Sequence, residues 1–156
     1  MATQAWHERA GFINGAFTRH RAEWQTFFNN ALTLGDYQNG NIYTFDMEVY
    51  ADHDRIQKWL RSWRALPTGQ NNLKRTVQHS LQLDCETGTG LENGQGSNPQ
   101  IMLRWSDDAG HTWSNEHLAS MGKIGEYFKR VFWRRLGMTL KLRDRVYEVS
   151  GTDPVK

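Results

Sequence analysis

The sequence predicts an all-β protein built from antiparallel hairpins, and three observations carry that expectation. Aromatic residues are abundant: seven Trp, seven Phe and five Tyr in 156 residues, with only three Pro. Such a composition suits half-buried pleated surfaces and does not suit a disordered chain. Turn pairs punctuate short apolar runs, at Asn29-Asn30 and at Asn39-Gly40, residue types that tolerate the left-handed backbone of tight hairpin turns. The third observation is the octapeptide from Ser106 to Trp113, which reads S-x-D-x-G-x-T-W and separates two strand-like runs.

Taken in order, the first strand is the aromatic run Trp24 to Phe28, ended by Asn29-Asn30. Ala31 to Leu34 leads into the second turn, and Asn41 to Asp46 returns from it. Residues 52–64 read two ways. Ile56, Trp59, Leu60 and Trp63 fall at helical spacing, with Asp52 or Asp54 able to cap, whereas a strand places Trp59, Arg61 and Trp63 on one face. From Leu73 to Cys85 the period is two: Leu73, Val77, Leu81, Leu83 and Cys85 alternate with polar residues. A Gly-rich polar loop fills Glu86 to Pro99. Ile101, Leu103 and Trp105 then face one way, and Ser114 to Leu118 returns beyond the octapeptide. Tyr127 to Leu136 and Leu142 to Val149 are two further strands, separated by Gly137.

The octapeptide has a local physical reading. Ser106 and Asp108 can bond loop amides, Gly110 supplies a positive φ, and Thr112-Trp113 restart the strand with a ring to bury. Ser106, Asp108, Gly110, Thr112 and Trp113 together resemble the Asp-box of sialidase-like β-propellers. That resemblance implies a turn; the hairpin-connected strands before it read as a propeller-like segment of partial blades over 1–69, followed by a β-rich unit over 70–156 that carries the box, with a single domain as the other division. A glycosidase is the alternative that the resemblance offers from the enzyme class, weighed down because the box is remote from catalysis in that fold and an enzyme propeller needs far more chain. A carbohydrate- or receptor-binding propeller module is the alternative from the binding class.

Other candidate chemistry reads as structural. Asp46, Glu48, Asp52 and Asp54 lack the spaced ligands and fixed Gly of a calcium loop. His53, His111 and His117 lack paired metal spacing. The lone Cys85 excludes an internal disulfide and sits on an apolar face. No metal or cofactor is implied. No apolar run approaches the length of a bilayer span, and the N-terminus has no basic-then-apolar leader pattern. Net charge is only +2, but its distribution is uneven. Lys129, Arg130, Arg134, Arg135, Lys141, Arg143 and Arg145 are opposed only by Asp144, with Phe132, Trp133 and Tyr147 interleaved. Lys129, Arg130, Arg134, Arg135, Arg143 and Arg145 are candidate contacts to neighbouring subunits or to DNA phosphates, with a solvated sheet face as the third reading.

A more specific resemblance covers much of residues 70–156. It is carried by Gly94 to Asp108, Gly122 to Tyr127, Trp133 to Gly137, Arg143 to Tyr147 and the ending Asp153 to Lys156. These tracts resemble the packaged-DNA stabilisation, or tail-hub, proteins of short-tailed bacteriophages. The resemblance implies a strand over the ambiguous 52–64 stretch and a non-enzymatic role in the virion tail. It further implies assembly in the host cytoplasm as a ring of copies beneath the portal and adaptor ring, closing the channel over packaged DNA. The same surfaces would offer attachment to a tail needle and to tailspikes. Proteins of that family are much longer, so the chain corresponds to a C-terminal portion or a shortened relative, in which exposed sheet edges call for partner chains.

Overall fold

The computed structural model describes residues 8–46, 49–53, 55–65, 75–139 and 145–154. Among these there are thirteen strands and no helix, and the contacts divide the chain into two compact units, Met1–Lys58 and Trp59–Lys156. The boundary expected at 69/70 lies outside the described residues.

The first unit is a run of hairpins. Strands β1 (Ala10–Ile13) and β2 (Ala16–Arg19) pair through Asn14-Gly15, both at positive φ. Strands β3 (Ala22–Phe28), β4 (Ala31–Asp36) and β5 (Ile42–Thr44) form a three-stranded antiparallel sheet. Asn29 and Asn30 join β3 to β4 with φ of 49° and 60°, the two-residue turn whose twist matches that of its flanking strands. The turn expected from Asn39-Gly40 is built differently. Neither residue has a positive φ. Side chains close a longer loop instead: Asp36 Oδ1 accepts the Gln38 amide and Asn39 Oδ1 accepts the Asn41 amide. The short ladder of β6 (Ala51–Asp52) and β7 (Arg55–Ile56) completes the unit. These sheets of two, three and two strands form no propeller among the described residues. An Asp and a Gly in a turn specify a hairpin, but not how successive hairpins stack.

The second unit packs two sheets on one core. Strands β8 (Trp59–Arg64), β9 (Ser80–Leu83), β10 (Gln100–Ser106), β11 (His117–Ser120), β12 (Val131–Arg134) and β13 (Val146–Gly151) arrange as a four-stranded sheet, β11-β10-β13-β8, and a pair, β12-β9. Every pairing is antiparallel. Alternation decides what is inside. Ile101 and Leu103 from β10, Tyr147 and Val149 from β13, and Val131 and Trp133 from β12 form the buried cluster, with Leu81 and Leu83 of β9 packed against it. The Trp133 indole donates to the His117 carbonyl at 2.9 Å, so the largest core ring keeps its polar atom satisfied.

Residues 59–64 form an extended strand along β13, with Trp59 opposite Gly151 and Trp63 opposite Tyr147. The helical spacing of their apolar residues is overridden by this pairing. Gly151 leaves room for the Trp59 ring, since a Cβ there would lie 2.7 Å from the indole nitrogen. Two expected strands are shorter than their patterns. Of the described residues of the Leu73 to Cys85 run, 75–85, Ser80–Leu83 form a strand and Val77 bridges to Met138. Tyr127 to Arg130 belongs to a turn, not to β12. Of the last run, Leu142 to Asp144 lie outside the described residues.

Candidate interaction site

The loop between β10 and β11 is organised by two adjacent carboxylates that turn opposite ways. Asp108 faces into the loop: its Oδ1 accepts the Ser106 hydroxyl at 2.6 Å and the Thr112 amide at 2.8 Å, and its Oδ2 accepts the Thr112 hydroxyl at 2.6 Å. Ser106 Oγ in turn accepts the amides of Asp108 and Gly110. Ala109 and Gly110 both adopt positive φ, 62° and 98°. These bonds, led by the Ser106 hydroxyl and then Thr112, hold the Asp108 carboxyl well below the usual carboxylate range. Trp113 folds back over the guanidinium of Arg104, 4.5 Å from its ring centre, and Arg104 pairs with the buried Glu148 of β13.

Asp107 points the other way and takes Arg145. The guanidinium donates to both Asp107 oxygens at 2.6 and 2.8 Å, and to the carbonyls of Leu136 and Met138 at 2.7 and 3.2 Å. Arg145 is 4% exposed. Burial opposes its charge, but the bonds to Asp107 outweigh that and raise its pKa above the ordinary arginine value. Its placement corrects the sequence expectation: the hydrogen-bonding edges of Arg145 are spent inside the sandwich, so it leaves the set of candidate contacts. Spacing alone cannot reveal such pairing, because Asp107 is thirty-eight positions away.

The remaining described members of the basic block are on the surface. Lys129, Arg130, Arg134 and Arg135 are exposed, and Arg143 lies outside the described residues. Arg134 lies over the Phe132 ring at 5.1 Å, and Lys129 pairs with Glu126 at 3.5 Å. The Lys123 amide, ahead of the Lys129 charge, lowers the Glu126 pKa. These cations frame a feature that reading 127–136 as a strand had concealed. Residues 121–130 form a tight strap in which Gly88 bonds twice, its amide to the Met121 carbonyl and its own carbonyl to the Gly125 amide. Thr87 Oγ1 donates to the Tyr127 carbonyl at 3.1 Å. A Cβ on Gly88 would fall 2.8 Å from the Tyr127 nitrogen. The strap displays Ile124, Tyr127 and Phe128 outward, and Phe128 is 99% exposed.

Within the first unit there is an open cavity of about 500 Å³ with Leu34, Tyr43, Phe45, Val49 and Tyr50 in its walls. Asp46, Asp52 and His53 also line it, while Glu48 and Asp54 lie outside the described residues. Arg21, buried at its edge, is held between Asp36 at 3.6 Å and Asp52 at 3.9 Å and donates to the Tyr43 hydroxyl at 3.1 Å. His111 and His117 belong to the second unit, on the sandwich hairpin, where His117 stacks on Trp105 at 4.7 Å. Cys85 is partly buried beside the sandwich core, and that burial, ahead of the Asp84 charge, raises its thiol pKa.

An antiparallel unit of two sheets on one core, with loops held by structural hydrogen bonds, belongs to the class of β-sandwiches. The family comparison makes this particular. The model for the β-sandwich of bacteriophage P22 Gp10 matches residues 58–156, which include the whole second unit and more than half of the chain. The chain belongs to this family, which is of the tail-hub and head-completion type of short-tailed phages. It is accordingly a structural tail protein of a phage virion. A comparison with curated individual proteins returned no match. No helix among the described residues is long and apolar enough to cross a membrane.

Proposed function

We propose that the chain completes the phage head by docking beneath the portal and adaptor ring, where a ring of copies closes the channel and retains packaged DNA. The observation that carries this reading is the family match over residues 58–156, coincident with a unit that has its own two-sheet core. On this reading, assembly takes place in the host cytoplasm, and the same ring offers surfaces to a needle and to tailspikes. The work is mechanical and not catalytic. The 106–113 loop serves as an Asp-box turn that stiffens one end of the sandwich. Lys129, Arg130, Arg134 and Arg135 serve subunit contacts and not DNA, because exposed rings lie among them and interfaces favour Arg beside aromatic anchors.

Electron microscopy of particles assembled with and without the chain tests the role. The expected result is density below the portal only when the chain is present, with empty heads accumulating in its absence. Filled, stable heads lacking the chain would overturn it.

A further inference from the structure

The β3–β4 hairpin carries large rings at its tip that the fold does not bury. Phe27 and Phe28 are each 71% exposed, and Trp24 further down the same strand is 48% exposed. Strand β5 accompanies β4 only between Thr33 and Gly35, with one further bond from the Phe45 amide to the Leu32 carbonyl, so the tip from Phe27 to Ala31 is a two-stranded ribbon. Phe27 pairs with Leu32 and Phe28 with Ala31. Consecutive residues of a strand point to opposite faces, so the two rings flank the ribbon on both sides, just ahead of the Asn29-Asn30 turn. The backbone of that tip is held without them, by the two positive φ angles of the turn and by Thr33 Oγ1 donating to the Thr26 carbonyl at 3.0 Å.

Charge is distributed to match. The twelve residues from Trp24 to Gly35 contain no Asp, Glu, Lys, Arg or His, whereas Glu23 and Asp36 stand at the two ends of that stretch. About 13 Å of ribbon separates the level of Trp24 from that of Phe28. A flat protein surface would cover one face of the ribbon and leave the ring on the other in water, and protein interfaces surround their aromatic anchors with a polar rim. The boundary between lipid headgroups and acyl chains encloses an inserted tip on all sides and favours uncharged aromatic groups. Trp24 lies flat against the ribbon, since a Cβ on Gly35 would fall 2.1 Å from its ring, and takes the level nearer the headgroups. The Asn29 and Asn30 side chains and the outer edge of β3 still need water, which limits entry to a depth of about 5–10 Å.

We infer that the β3–β4 tip is a lipid-contacting element, in which Phe27 and Phe28 enter the headgroup boundary of a bilayer while the charged base of the hairpin stays outside it. The contact draws on apolar transfer and not on the basic surface of the second unit, so it is indifferent to headgroup charge and to salt. A single copy makes it, so it goes beyond the ring reading and stands or falls separately from it.

Flotation of the full chain with lipid vesicles tests it. The chain should rise with vesicles of phosphatidylcholine alone, and equally so at low salt and at about 1 M salt, where charge attraction is screened. Phe27→Ser with Phe28→Ser should weaken capture roughly 30-fold, the loss expected when two partly inserted rings are removed. Phe27→Trp with Phe28→Trp should retain it. Thermal unfolding reports that each variant is folded, and little change is expected at positions this exposed. A parent chain that stays below the vesicles, capture that requires anionic phosphatidylglycerol and fades in salt, or a folded serine variant that floats like the parent would each overturn the contact. Self-association through the tip without vesicle capture would assign it to a protein contact and overturn the inference as well.

Discussion

Asp107 and Asp108 are neighbours with unrelated tasks, and the difference is one of direction. Asp108 gathers the loop that ties β10 to β11, while Asp107 neutralises an arginine within the sandwich. The role of Asp108 was legible in the sequence, because its partners lie within four residues of it. The role of Asp107 was not, because Arg145 arrives from the last strand of the sheet. Arg145→Met strands a mostly covered carboxylate and two carbonyls, and should cost about 3–5 kcal/mol in denaturant unfolding. The double change with Asp107→Leu should cost clearly less than the two single changes summed. Additive losses would show that the pair is not coupled.

Asp108 makes stability depend on pH. Its folded-state pKa is depressed, so the folded protein binds this proton less tightly than the unfolded chain does. Its contribution is full above the ordinary aspartate value of about 4 and is lost as the pH falls through the folded value. Asp108→Asn should therefore be less stable than the parent at pH 6, and the gap should narrow toward pH 3. A gap that is constant across that range would contradict the hydrogen-bonding role.

At the scale of elements, the sequence shows strands where both faces are patterned locally, and misplaces their ends where pairing decides. The β3–β4 turn follows from Asn29-Asn30 because both residues bring the needed backbone themselves. Asn39-Gly40 misleads, because the Asp36 and Asn39 side chains close a wider loop by accepting its amides. Residues 59–64 are a strand for a tertiary reason, the register with β13. Tyr127 and Phe128 continue a strand-like pattern, yet the bonds from Gly88 fold them into the strap. Gly88→Ala tests that account. With φ at +80° and a new methyl 2.8 Å from the Tyr127 nitrogen, it should destabilise the unit by about 1–3 kcal/mol. Amide exchange should accelerate first in residues 121–130. Unchanged protection there would mean that the strap is held by something else.

For the whole molecule, the division of labour is between a hairpin unit that is net negative and a sandwich unit that is net positive. The all-β class was legible from turns and aromatics, and the phage relationship from tracts in the second unit. The propeller was not a safe extension of the turn motif, since local turn chemistry does not encode the stacking of sheets. Nor did charge spacing show which cations face outward: Arg145 looks like the others in sequence and is the buried one among the described residues of the block. Arg134→Glu with Arg135→Glu should leave unfolding within about 0.5 kcal/mol of the parent, as for exposed positions in general. On the proposed ring reading the pair should nevertheless abolish assembly, because like charges set against an interface cost several kcal/mol.

Nuclease protection of freshly packaged heads that lack this chain, taken before their DNA escapes, puts the central claim to the most direct test. Adding the purified chain should render the packaged DNA resistant, and adding the Arg134→Glu, Arg135→Glu protein at the same concentration should not. Heads that resist nuclease without any addition, or that remain sensitive after the parent chain has bound, would contradict the account.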